Sequence, residues 1–171
     1  MPKKSSIPTK TITINKDESV LVLHNIRSVY NVGALFRTAD AVGITRILIS
    51  GYTPTPLDRF GRARQDLAKC ALGSEKIVPW TYAKTPQKLL KKMKEEGFHM
   101  VGIEQDVRSV DYKKVKRFKK TAFIFGTETT GMTKSLLDLC DSIVEIPMKG
   151  MKESLNVSVA AGIVLYRILD N

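Results

Sequence analysis

The chain has 171 residues, with 28 Lys plus Arg against 17 Asp plus Glu, a formal net charge of +11. Hydrophobic residues make up 43% and charged residues 26%, which excludes a disordered chain and suits one domain with a substantial core. With only two cysteines (Cys70, Cys140) and two distant histidines (His24, His99), a disulfide scaffold is excluded and no Cys/His zinc cluster is suggested.

Residues 1–17 read as a polar leader ahead of a single domain spanning 18–171. The leader lacks the apolar core of a signal peptide, and no apolar run is long and unbroken enough to span a bilayer. The expected location is the cytoplasm, a reducing compartment. The positive charge points to a polyanionic partner such as nucleic acid, the plainer reading being a solvated basic surface.

Ser19–Leu23 is a short apolar run expected as a buried strand. Tyr30–Val42 has helical spacing, with Val32, Leu35, Phe36 and Ala39 on one face, Asn31 as a cap and Gly43 as the stop. Ile44–Ser50 is the next strand. Gly51–Gly61, with Pro54 and Pro56, is loop. Arg62–Ala71 is a short helix and Ile77–Trp80 a weak strand. Thr85-Pro86 marks a helix start and Gly97 its stop, with Leu89, Leu90 and Met93 as the apolar stripe between them. His99–Ile103 and Thr121–Phe125 are strands joined by a basic segment, in which six of the eight residues 113–120 are Lys or Arg. Thr133–Cys140 is a helix, Ile143–Ile146 a strand, and Asn156–Leu169 a closing apolar helix. Strands alternating with helices predict an α/β domain, a mostly parallel sheet flanked by helices.

Three segments carry chemistry. Asn25–Asp40 sets Asn31, Arg37 and Asp40 around a strand-to-helix turn, where Gly33 and Ala34 permit close approach. Its plain reading is a capping Asn31 and an Arg37–Asp40 ion pair. Phe125–Met132 is a glycine-containing turn after a strand. It is neither a phosphate-binding P-loop nor a dinucleotide fingerprint, and Glu128 has a plain reading as a helix cap. The third runs from Ile146-Pro147-Met148 to Ser154-Leu155-Asn156, where Ser154 or Asn156 suits the cap of the last helix.

In this order and spacing, the three segments resemble the SPOUT superfamily of RNA methyltransferases, and within it the TrmH (SpoU) branch of ribose 2′-O-methyltransferases. The resemblance covers nearly all of Asn25–Tyr166. Its most specific part is the first segment, with Asn31, Gly33, Arg37, Thr38 and Asp40. Met132 departs mildly from the leucine common in the family. The resemblance implies a C-terminal deep trefoil knot, which general folding rules would not propose. It implies S-adenosylmethionine as cofactor, becoming S-adenosylhomocysteine, held around Ile103, Glu104, Gly126, Ile146, Met148 and Leu155. It implies a homodimer with the active site near the subunit interface, and no metal.

The resemblance also implies catalytic roles for Arg37, Asn31, Glu128, Ser154 and Asn156. A ribose hydroxyl must lose its proton as it takes a methyl group. Arginine is ordinarily a reluctant base, so Arg37 is either a tuned proton acceptor or a clamp on an RNA phosphate. Arg27, Arg59, Arg62 and Arg64 are the expected RNA-binding residues, ahead of the lysine runs. Size alone favours tRNA over rRNA. The rival readings are an RNA-binding protein without turnover, a base-methylating SPOUT enzyme, and a generic nucleotide-binding α/β protein.

Overall fold

The structure is a computed structural model that describes residues 17–127 and 130–170; residues 1–16 of the predicted leader and Glu128 lie outside them. Seven strands form one sheet in the order β3-β2-β1-β6-β4-β7-β5. They are β1 (Glu18–His24), β2 (Arg46–Ser50), β3 (Trp80–Ala83), β4 (His99–Ile103), β5 (Val110–Asp111), β6 (Lys120–Phe125) and β7 (Ser142–Glu145). Every pairing is parallel, as the alternation of elements predicts.

The central strands read as unbroken apolar runs because both faces are covered. In β1, Leu21 and Leu23 join the core under helices α1 (Val29–Val42), α2 (Gln65–Ala71) and α6 (Val157–Leu169). Val20 and Val22 face the opposite core, with Leu90 and Met93 of α4 (Gln87–Glu95) and Leu136 and Leu137 of α5 (Lys134–Leu137). The result is a three-layer α/β/α arrangement, with the short α3 (Ser74–Ile77) against α1.

Several local expectations change. Ser28, not Asn31, caps α1: its hydroxyl accepts the Asn31 backbone N–H at 3.3 Å from an extended backbone (φ −77°, ψ 117°). The Arg37–Asp40 pair does not form, and Asp40 instead accepts a hydrogen bond from the Ser74 hydroxyl at 3.2 Å. Gly33 serves helix packing. A Cβ there would stand 2.7 Å from both the Cys70 Cβ and the Leu67 carbonyl oxygen, so glycine lets α2 close on the α1 backbone.

The strand expected at Ile77–Trp80 starts three residues later, because Ile77 ends α3 and pairing begins at the Pro79 carbonyl, which accepts from Ile47 at 2.8 Å. The basic segment contains β5 and a 3-10 turn (Tyr112–Lys114) that its charge pattern concealed. Part of that charge run is structural. Arg117 donates to the Leu169 carbonyl at 2.9 Å and pairs with Asp17, and Lys120 donates to the Glu96 carbonyl at 3.2 Å.

Candidate active site

The register aligns the carboxyl ends of three neighbouring strands: Ile103 of β4 lies beside Phe125 of β6 and Val144 of β7. The chain leaves the sheet there, as it does at ligand sites of open parallel sheets. A cleft of about 140 Å³ opens at this edge, closed on its far side by the segment before α6 and by the first turn of α6. Its walls include Ile103, Glu104, Gly126, Ile146, Met148 and Leu155, the six positions that the family resemblance implies for the cofactor, together with Ser154.

Thr127 and Gly131, which flank the turn after β6, are tied together. The Gly131 N–H donates to the Thr127 carbonyl at 3.2 Å, and the two residues form an isolated bridge. Glu104 straps this turn to β4: its carboxylate accepts the Met132 N–H at 2.8 Å and the Gln105 N–H at 2.9 Å. A Cβ is disfavoured at both glycines of the turn. A Cβ on Gly126 would lie 2.5 Å from the Met132 Cγ, and one on Gly131, where φ is +68°, would lie 2.6 Å from the Glu104 Oε2. Gln105 carries the strapping further by donating its side-chain amide to the Glu153 carbonyl.

The first and third segments meet directly. Asn156 caps α6, its Oδ1 accepting the Ser158 N–H at 2.9 Å, while its Nδ2 donates to the Asn31 Oδ1 at 3.1 Å. One asparagine thus fixes the start of α6 and ties it to the first turn of α1. Arg37 does not line the cleft; it is exposed on α1 and makes no hydrogen bond or ion pair with the described residues.

The cleft's charge content constrains its ligand. Its described walls carry Glu104 and Glu145 but neither lysine nor arginine. A polyphosphate such as ATP or NAD would find no cation there, whereas a positively charged adenosyl compound meets apolar walls, strand-end backbone groups and two carboxylates. That lining fits S-adenosylmethionine chemically.

A second, open groove of about 1000 Å³ is built by residues 51–64 and β3. It holds Arg59, Arg62 and Arg64; Arg27 is also exposed, outside this groove. Arg62 pairs with Asp58 at 2.8 Å and Arg64 with Asp66 at 3.0 Å, while Arg59 has no ion pair among the described residues. The arginines lie close together in the sequence, whereas Tyr82 and Trp80 arrive beside them from β3, remote in the chain. Tyr52 joins the two sites, its hydroxyl donating to the Thr127 Oγ1 at 3.3 Å.

Neither histidine enters the cleft. The Asn25 Oδ1 accepts the Tyr52 N–H, so its Nδ2 donates to the His24 Nε2 at 3.1 Å. His24 Nδ1 therefore carries the proton toward the Ser50 hydroxyl, 2.9 Å away. Burial holds the His24 imidazole below its ordinary pKa, in keeping with this neutral form. Cys140 is inert in its surroundings, its thiol pushed up to about 11, mainly by burial. Among the described residues no group of three or more His, Cys, Asp or Glu could hold a metal ion, and no helix is long and apolar enough to cross a membrane.

The SpoU rRNA Methylase family model matches residues 18–166, and the chain belongs to that family. It is 32% identical over 150 residues to a Staphylococcus aureus strain COL protein assigned to the TrmH family of tRNA/rRNA methyltransferases, covering 88% of this chain and 58% of that one. It superposes with a TM-score of 0.79 on an AdoMet-bound rRNA methyltransferase from Sinorhizobium meliloti, at 27% identity, covering 88% of this chain and 55% of the other. An RNA 2′-O ribose methyltransferase of known structure is 26% identical with a TM-score of 0.78, covering 91% of this chain and 57% of that one. The chain thus spans somewhat more than half the length of each of these three proteins.

Proposed function

We propose that this chain is an S-adenosylmethionine-dependent RNA ribose 2′-O-methyltransferase, with tRNA favoured over rRNA as substrate. One observation carries the reading: residues of two sequence segments and the end of β4 converge on a single cleft that has no lysine or arginine among its described walls. Ile103, Ile146, Met148 and Leu155 would hold the adenosine and thioether parts, with backbone at Glu104 and Gly126 as hydrogen-bonding partners. Bound there, S-adenosylmethionine supplies an activated methyl group. The strand order, with β6 inserted between β1 and β4 and β7 between β4 and β5, supports a threaded, knotted C-terminal segment in a single domain spanning 18–171.

The protein's own residues would do the rest. Arg37, exposed and unpaired among the described residues, is suited to clamp an RNA phosphate. So placed, its charge lowers the cost of deprotonating the neighbouring ribose hydroxyl. Asn31 and Asn156, joined at 3.1 Å, would orient that ribose beside Ser154. Glu128 belongs to the same proposed site. Arg37 and the cleft would meet across a homodimer. Support for that assembly comes from α6, where Val159 and Tyr166 are exposed and Gly162 and Ile163 complete one stripe at helical spacing. A Cβ added at Gly162 would meet nothing within 4 Å, leaving room for a partner.

The test is transfer of radiolabelled methyl from S-adenosylmethionine to total tRNA and to rRNA, followed by nucleoside analysis. Label in a ribose-methylated nucleoside from tRNA is expected. Label in a base overturns the ribose assignment, and absence of donor binding overturns the enzyme reading.

A further inference from the structure

The loop that precedes α2 is built to hold an aromatic ring in solvent. Residues 57–63 form a small hairpin closed by the Leu57–Ala63 bridge and by the Asp58 N–H donating to the Arg62 carbonyl at 2.8 Å. Inside it, the Asp58 carboxylate accepts the backbone N–H groups of Phe60 at 2.8 Å and Arg62 at 2.9 Å, as well as the Arg62 Nε at 2.8 Å. Gly61 supplies the positive φ of +76° that turns the chain at the tip. Phe60 rides on this tip, 66% exposed, with the guanidinium carbons of Arg59 and Arg62 4.8 and 5.0 Å from its ring centre. Across the same groove stand Tyr52, 57% exposed, and Tyr82, 51% exposed, whose hydroxyl is anchored on the Gly51 carbonyl at 2.8 Å.

Exposing a large apolar ring has a solvation cost, and here a closed hydrogen-bond network prevents the loop from relaxing to hide it. We propose that Phe60, with Tyr52 and Tyr82, forms a stacking platform for an unpaired nucleobase of RNA, so that the groove selects single-stranded or loop segments over duplex. The inference rests on the RNA-methyltransferase reading and deepens it by assigning a substrate class. Bases in a duplex are stacked on one another and offer no free face, whereas an unpaired base stacks on an aromatic ring or a guanidinium plane. Arg59, which has no ion pair among the described residues, supplies a phosphate contact for such a strand, with the exposed Arg62 beside it. The Tyr52–Thr127 hydrogen bond sets the groove directly beside the methyl-donor cleft, so a base held on the platform leaves its own or an adjacent ribose at the cleft mouth.

The experiment is a fluorescence titration of the full chain with two probes. One is a short single-stranded oligoadenylate carrying one 2-aminopurine; the other is a blunt RNA duplex of equal length. Calorimetric titration with S-adenosylmethionine runs in parallel. Wild-type protein should quench the 2-aminopurine, as stacking does. Phe60→Ala should remove the quench and weaken binding of the single strand by on the order of tenfold, with duplex binding unchanged, and Phe60→Trp should restore both signals. Because Phe60 is exposed at a loop tip, neither variant threatens the core, and an unchanged melting temperature verifies this. The proposal is overturned if Phe60→Ala leaves single-strand binding and quench intact, if it weakens both probes equally, or if the wild type binds neither. Quenching without donor binding would preserve the platform and refute the methyltransferase reading. Donor binding with a silent Phe60→Ala would do the reverse.

Discussion

Gly131→Ala attacks the strap that closes the cleft, and its cost is calculable. At φ +68° an alanine meets the left-handed penalty of about 1–2 kcal/mol. Its Cβ would also lie 2.6 Å from the Glu104 Oε2, displacing the carboxylate that accepts the Met132 N–H at 2.8 Å. A hydrogen bond to a charged group contributes about 1.5–3 kcal/mol, and a displaced carboxylate forfeits most of it. The combined cost is roughly 2–4 kcal/mol on the turn that lines the cleft, which corresponds to about a 30- to 900-fold loss of S-adenosylmethionine affinity by titration calorimetry. Glu104→Ala removes the obstacle as well as the strap. In the double variant only the backbone penalty remains beyond the loss of Glu104. The double variant should therefore cost about 1–2 kcal/mol less than the sum of the single variants. Additivity within about 0.5 kcal/mol would refute the strap as the reason for glycine at this position.

Four further expectations follow from the same geometry. Arg37→Ala should abolish methyl transfer while leaving donor affinity and thermal stability nearly unchanged, since the side chain is exposed and unpaired among the described residues; a stability loss would reveal a structural role. Asn156→Ala removes the cap of α6 and should lower unfolding free energy by about 1 kcal/mol in urea, whereas Asn156→Asp keeps the acceptor for Ser158 and should retain stability while losing turnover. Replacing Arg59, Arg62 and Arg64 together by alanine should weaken RNA binding and flatten its salt dependence; an unchanged slope would move the phosphate track elsewhere. Burial holds both His24 and His99 below the ordinary 6.5, so as pH falls through that value the unfolded chain takes up protons that the native one resists. Stability should therefore be full above about pH 6.5 and decline below it, and the double variant His24→Gln, His99→Gln should flatten that decline in urea melts.

What the sequence disclosed followed the strength of its periodicity. The β1 run, the α1 stripe around Leu35 and Phe36, and β4 announce themselves because burial on both sheet faces leaves long apolar signals. The two-residue β5 has no period to read, and a run of lysines surrounds the turn that follows it. Serine and asparagine cap equally well, so the sequence alone does not choose Ser28 over Asn31, whose side-chain carbonyl instead accepts the Asn156 amide. The cleft lay beyond any local pattern. Ile103 and Leu155 are far apart in the chain, and nothing in either neighbourhood says that they share a wall. The family resemblance implies that grouping, and the register of β4, β6 and β7 is its physical cause.

The aromatic groove marks the opposite limit. Tyr52, Phe60 and Tyr82 match no motif, and each reads alone as an ordinary surface aromatic. Their joint meaning depends on one carboxylate, Asp58, whose pKa is held down first by the Arg62 backbone N–H, keeping it charged and the hairpin closed. Single residues of this kind decide which way a ring points, and that direction underlies the stacking platform proposed for residues 51–64 and β3. The proposed methyl transfer belongs to the cleft, whose walls are set by strand ends and the start of α6. Selectivity is built on loops, where a few hydrogen bonds suffice and sequence patterns are weakest. The substrate of this chain should therefore be sought in the contacts of residues 51–64 rather than in the cleft, and exchanging that loop with one from a relative of different substrate should move target choice without altering donor affinity. A change in donor affinity on exchange would show instead that the Tyr52–Thr127 bond couples the two sites.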